Sequence, residues 1–70
     1  MKYIVQGQKH ISGYKYDIKD GFTSLADARN YRNDLRNGIA TMPGGYIPDT
    51  RDTFFIAQYE KRSYEAMFVE

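Results

Sequence analysis

The sequence has no cysteine and no tryptophan, a single histidine and only two prolines. Without cysteine, no disulfide can cross-link the chain and no thiolate can ligate a metal, which fits a reducing compartment. No apolar run approaches the roughly 20 residues that a membrane-spanning helix needs. No signal-peptide pattern is visible either, since Lys2 is followed by only three apolar residues before Gln6. A cytoplasmic setting is expected. An excess of one charge is missing too: ten basic and nine acidic residues leave a formal net charge of +1. That balance excludes a strongly acidic DNA mimic and a protein that holds nucleic acid by bulk charge. Any electrostatic recognition must be local. The length of 70 residues has room for one domain, 1–70, and a domain near this size buries only about 60% of its unfolded surface.

Tyrosine is abundant, with seven copies beside four phenylalanines. KYIVQGQK (2–9) is rich in strand formers, and Gly7 within it marks a bulge or a close backbone approach. HISG (10–13) reads as a turn. YKYDIKD (14–20) alternates, with Tyr14, Tyr16 and Ile18 on one face and Lys15, Asp17 and Lys19 on the other. In SLADARNYRNDLRNG (24–38), Ser24 is a fitting N-cap, with Asp27 three residues on. Leu25, Ala28, Tyr31 and Leu35 form one apolar stripe, and Asn37-Gly38 stops the helix. GIATMPGGYIPDTRDT (38–53) has neither a helical nor a strand period and contains both prolines. Loops this long are uncommon in compact domains and are often functional. Phe54 to Tyr59 reads as a strand, EKRS (60–63) as a turn and 64–69 as a returning strand, with a helix over 63–69 as the alternative. The predicted fold is α+β: an antiparallel four-stranded sheet with one helix packed on one face, in the order β-β-α-β-β. One helix covers one sheet face, yet the last strands carry apolar residues on both. Either the long loop packs over the second face, or a partner chain does.

Candidate chemistry is sparse. His10 lies in a predicted turn without a cysteine or second histidine in the chain, so it reads as a surface residue. Asp49 and Asp52 flank Arg51, a pattern that could hold a hard cation but is also ordinary turn chemistry. Gly44-Gly45 lacks the strand–loop–helix frame and the Gly-Lys-Ser/Thr ending of a phosphate loop. Arg29, Arg32 and Arg36 share one helical stripe beside the apolar one. They could grip phosphates or carboxylates, or lay their stems along the core edge. Tyr14 and Tyr16 are expected at the core or its edge, whereas Tyr46 lies in the loop, where tyrosine suits a binding surface. No nucleophile–base pair, metal set or cofactor loop emerges, so neither an enzyme nor a cofactor is expected.

The stretch DGFTSLADARNY, set between a hairpin and a helix, resembles the build of small phage-encoded inhibitor proteins, including anti-CRISPR proteins and phage inhibitors of host enzymes. Phe22, Ser24, Leu25, Ala28 and Tyr31 carry the likeness. It implies a non-enzymatic, phage-type protein-binding inhibitor in the cytoplasm of a bacterial host. Its partner would be a larger bacterial host protein or nucleoprotein complex, such as a CRISPR effector. The expected partner-binding residues are Arg29, Arg32, Arg36, Met42, Tyr46, Ile47 and Arg51. The alternatives are a module for single-stranded nucleic acid, using tyrosines and basic residues, and a structural homodimer paired through the open sheet face.

Overall fold

Five elements succeed one another in the computed structural model, which describes residues 2–59 and 67–70. They are β1 (Lys2–Gln8), β2 (Lys15–Phe22), α1 (Leu25–Arg36), β3 (Thr53–Tyr59) and β4 (Met67–Phe68). The strands form one antiparallel sheet in the order β2-β1-β3-β4. With one helix added, the architecture is α+β, in the order β-β-α-β-β. The turn expected at 60–63 and strand positions 64–66 lie outside the described residues. The same holds for 63–66 of the alternative helix, while Met67 and Phe68 of that span are paired as strand with Gln58 and Ala57. The pairing runs on past β4: Val69 N–H donates to Ile56 O and Ile56 N–H to Glu70 O.

The central strands alternate in a way that fills both faces. Val5 of β1, Ile18 of β2, and Phe54 and Ile56 of β3 meet Ala28 and Leu35 of α1 in the main core. Phe54, Leu35, Ile56 and Val5 are its largest fully buried side chains. Complete burial of a side chain of this kind contributes about 1.5–3 kcal/mol. On the second face Ile4, Ala57 and Tyr59 form a smaller cluster. There Phe55 meets Phe68 with ring centroids 5.9 Å apart, and Lys15 Nζ lies 5.7 Å from the Phe55 ring. Tyr59 donates its hydroxyl to the Asp20 carboxylate.

The β1–β2 register slips twice, between the pairs Tyr3↔Phe22 and Val5↔Lys19 and again before Gln6↔Asp17. Each slip gives β2 an extra residue, as a β-bulge does. The bulge overturns part of the expected alternation. Lys19 was expected on the face of Lys15, but it reaches the helix side of the sheet, with Nζ 5.2 Å from the Tyr31 ring and 5.4 Å from that of Phe22. Tyr14 departs as well: it precedes β2 and is exposed rather than lying at the core. Gly7 answers the other expectation for β1, a close approach. It pairs with Tyr16, and a Cβ at Gly7 would stand only 2.5 Å from Tyr16 Cζ. The bare glycine leaves the room that the Tyr16 ring occupies.

Ser24 caps α1, its Oγ accepting from Asp27 N–H at 3.4 Å. At the other end Gly38, with φ +72°, takes the left-handed position after Asn37. Gly38 N–H donates to Leu35 O and Ile39 N–H to Asp34 O, the paired bonds that close a helix terminus. The long loop then packs on the helix side of the sheet, since Ala40 and Met42 abut the main core. Of the two expectations for the second face, a covering by these loop residues is therefore not what is found. Nor is the loop slack: Tyr31 donates its hydroxyl to Thr41 O, Met42 N–H bonds Tyr46 O, and Gly45 N–H bonds Met42 O.

Candidate functional site

Gln8 ends β1 and pairs with two residues at once, Lys15 of β2 and Thr53 of β3. The β1–β2 turn and the end of the long loop are therefore neighbours. The turn is closed by Gly13 N–H donating to Lys9 O and Lys9 N–H donating to Tyr14 O, each at 2.9 Å. The loop turns just before β3 by the chemistry its sequence announced. Asp49 Oδ1 accepts from Arg51 N–H at 2.9 Å, and Asp52 N–H donates to Asp49 O at 3.0 Å. This turn directs the Asp52 side chain inward, against the hairpin.

Asp52 is the centre of the site, and its side chain is 0% exposed. Its Oδ1 accepts from His10 Nδ1 at 2.8 Å and from His10 N–H at 3.2 Å. Its Oδ2 accepts from the Tyr16 hydroxyl at 2.8 Å, and Lys9 Nζ stands 3.7 Å away. An ionised carboxylate only accepts, so the ring proton shared with His10 belongs on Nδ1. Asp49 closes the other side. Its Oδ2 lies 3.9 Å from His10 Nδ1 and accepts from Arg51 at 2.9 Å, while Oδ1 takes Arg51 Nε at 3.1 Å.

The electrostatics follow from these contacts. Burial pushes the Asp52 carboxyl up, but the donors of His10 and Tyr16 and the charge of Lys9 outweigh it and hold it below the ordinary aspartate range. Asp49 is drawn down to about 2 by the Arg51 guanidinium and backbone N–H. Burial, then the hydrogen bond to Asp52, pushes the Tyr16 phenol up to about 12. At neutral pH the site thus holds two carboxylates and a neutral phenol.

Beside it runs an open groove of about 520 Å³ lined by Lys9, His10, Ile11, Ser12, Tyr14, Asp49 and Asp52. Large apolar side chains are exposed on both segments: Ile11, 86% exposed, and Tyr14 at this groove, and Tyr46 and Ile47 on the long loop. The expected partner-binding residues divide into two groups. Tyr46, Ile47 and Arg51 face solvent on the loop. Met42 packs against the core, and the arginine stripe is engaged within the chain. Arg29 grips the Glu70 carboxylate with two bonds, at 2.6 and 2.7 Å. Arg32 is buried and reaches both Glu70 O and Oε1 at 3.4 Å. Arg36 donates to Phe54 O at 3.0 Å.

His10 was read as an ordinary surface histidine; it is exposed, but its ring is tied to a carboxylate 42 positions away. Ile11 was not singled out, because a turn residue announces no face by period, and Tyr14 was assigned to the core side of β2. One signal did point here. Gly7 opposite a tyrosine marks a ring lying over the backbone, and that ring ends on Asp52. The chain matches no family model, no curated protein and no solved structure.

Proposed function

We propose that this chain is a non-enzymatic binding protein whose contact surface is the end where the β1–β2 turn meets the long loop. The observation that carries the reading is the set of exposed apolar side chains, Ile11 and Tyr14 by the turn and Tyr46 and Ile47 on the loop, on two segments that Asp52 ties together. Large apolar side chains left exposed on neighbouring segments favour an interaction site. A surface held rigid before contact loses less entropy on binding. Tyr46 and Arg51 add side chains that serve well at interfaces. The partner we propose is a larger bacterial protein or nucleoprotein complex, blocked by occupation of its surface. The resemblance of the segment around Phe22–Tyr31 to small phage-encoded inhibitors supports that choice.

The test is capture from bacterial lysate by tagged protein, run in parallel with Ile47→Asp and Tyr46→Ala variants. A protein retained in stoichiometric amount by the wild type and lost from both variants, at unchanged thermal midpoint, supports the reading. Equal capture by all three rejects this surface. A mobility shift of single-stranded oligonucleotide at low salt, vanishing at high salt, would move the assignment to nucleic acid.

A further inference from the structure

His10 Nδ1, a carboxylate oxygen of Asp49 and one of Asp52 all lie within 4.8 Å of one another. Two of the separations are 2.8 Å, from Nδ1 to Asp52 Oδ1, and 3.9 Å, from Nδ1 to Asp49 Oδ2. Ligands about 2.0–2.1 Å from a tetrahedral Zn²⁺ stand about 3.4 Å apart. The two distances straddle that value, and small side-chain rotations close the difference. We propose that these three residues form a site for a divalent transition-metal ion of the zinc type, in the groove beside the surface argued above.

Three features support the chemistry. The donor set is one imidazole and two carboxylates, a mixture suited to zinc, whereas calcium and magnesium call for all-oxygen shells. The outer contacts that orient ligands are already in place. Tyr16 donates to the Asp52 oxygen that faces away from His10, and Arg51 holds Asp49. The groove gives access to water for the remaining coordination position. Binding would replace the hydrogen bond from His10 to Asp52: the metal takes Nδ1 and the ring proton moves to Nε2. Two cations compete for the same carboxylates. Lys9, half-exposed and 3.7 Å from Asp52, can swing away, and Arg51 can stay on Asp49 as an outer partner.

The experiment is titration of the untagged protein with Zn²⁺ alone by calorimetry, with ¹⁵N spectra of the His10 ring, and a parallel titration with Ca²⁺. The expected result is one saturable Zn²⁺ site, a ring tautomer that inverts on binding, and no calcium heat. Asp49→Asn and His10→Ala should each weaken Zn²⁺ by about tenfold or more. Lys9→Gln, which removes a competing cation, should tighten it, so a gain accompanies the losses. The proposal is overturned if Zn²⁺ gives no saturable heat, if affinity is unchanged in His10→Ala, if Lys9→Gln weakens it, or if Ca²⁺ binds equally well. Loss of partner capture in Tyr46→Ala with Zn²⁺ binding intact would separate this site from the proposed binding surface.

Discussion

Two carboxylates each fasten a stretch of chain to the rest of this protein, and they do so in opposite surroundings. Asp52 ties the long loop to the β1–β2 turn with a side chain 0% exposed, through His10 and Tyr16. Glu70 ties the segment after β4 to the helix with a side chain 33% exposed, through Arg29 and Arg32. Each has two basic partners, Lys9 and His10 for Asp52 and the two arginines for Glu70, yet the more exposed of the two should be the weaker fastening. Exposed ion pairs return little, because water already solvates both partners and holding long side chains costs entropy. A buried carboxylate gives its donors partners that water does not supply, so its removal leaves them unpaired.

The largest difference should appear on deletion. Asp52→Ala removes one acceptor group from two donors of His10 and one of Tyr16. We expect a loss of about 3 kcal/mol in urea unfolding. A loss below about 1 kcal/mol would mean that water already serves these donors, and the contrast with Glu70 would fail. Gly7→Ala approaches the same site from behind. The added methyl meets Tyr16 Cζ at 2.5 Å and the hydroxyl oxygen at 2.6 Å. A free tyrosine tip would simply turn aside, but this one is bonded to Asp52. The expected cost is about 1–3 kcal/mol, the range for overpacking. In the Asp52→Ala background the ring is released, and the same substitution should cost distinctly less. Equal costs in both backgrounds would show that the ring is not held by the carboxylate.

These two fastenings were unequally legible in the sequence. The arginine stripe was visible at once, since residues spaced by three and four share a helix face whatever they touch. What the stripe touches was not visible, because Glu70 and Phe54 reach it through sheet pairing rather than through proximity in the chain. The elements were legible for the same local reason: strand formers in β1 and β3, alternation in β2, the Ser24 cap, and the glycine stop at Gly38. The bulge in β2 was not, so Lys19 was assigned to the wrong face. The site around His10 depends on three segments meeting at the end of β1. A lone histidine in a turn carries no trace of a carboxylate 42 residues away.

Acid should sharpen the contrast without any mutation. Asp52, Asp49 and Glu70 all have folded-state pKa values below their ordinary ones. Each therefore stabilises the fold fully above its unfolded value, about 3.9 for aspartate and 4.3 for glutamate. Each contribution is lost as pH falls through the folded value, which for Asp49 is about 2. The thermal midpoint should be level near neutrality and fall from about pH 5 towards pH 2. Most of that fall should persist in Glu70→Gln, since the screened pair contributes the smaller part. The Tyr16 phenol, raised to about 12, works in the other direction. Its contribution is complete below about pH 10 and is lost as pH rises through the folded value. An acid limb that vanishes in Glu70→Gln would reverse the ranking of the two sites.

The smallest effect is expected where the contacts look strongest. Glu70→Gln discards the charge that Arg29 meets at 2.6 and 2.7 Å, yet the amide oxygen can still accept from Arg29. Arg32, though buried, keeps Glu70 O and the Asn33 side chain as acceptors. The sheet bonds from Ile56 N–H to Glu70 O and from Val69 N–H to Ile56 O do not involve the side chain. The change should therefore be within about 1 kcal/mol and should shrink further at 1 M salt, where the screening length is about 3 Å. A loss above about 2 kcal/mol that resists salt would instead place the Arg29–Arg32–Glu70 contact among the desolvated pairs. The comparison with Asp52 would then rest on position in the fold rather than on exposure.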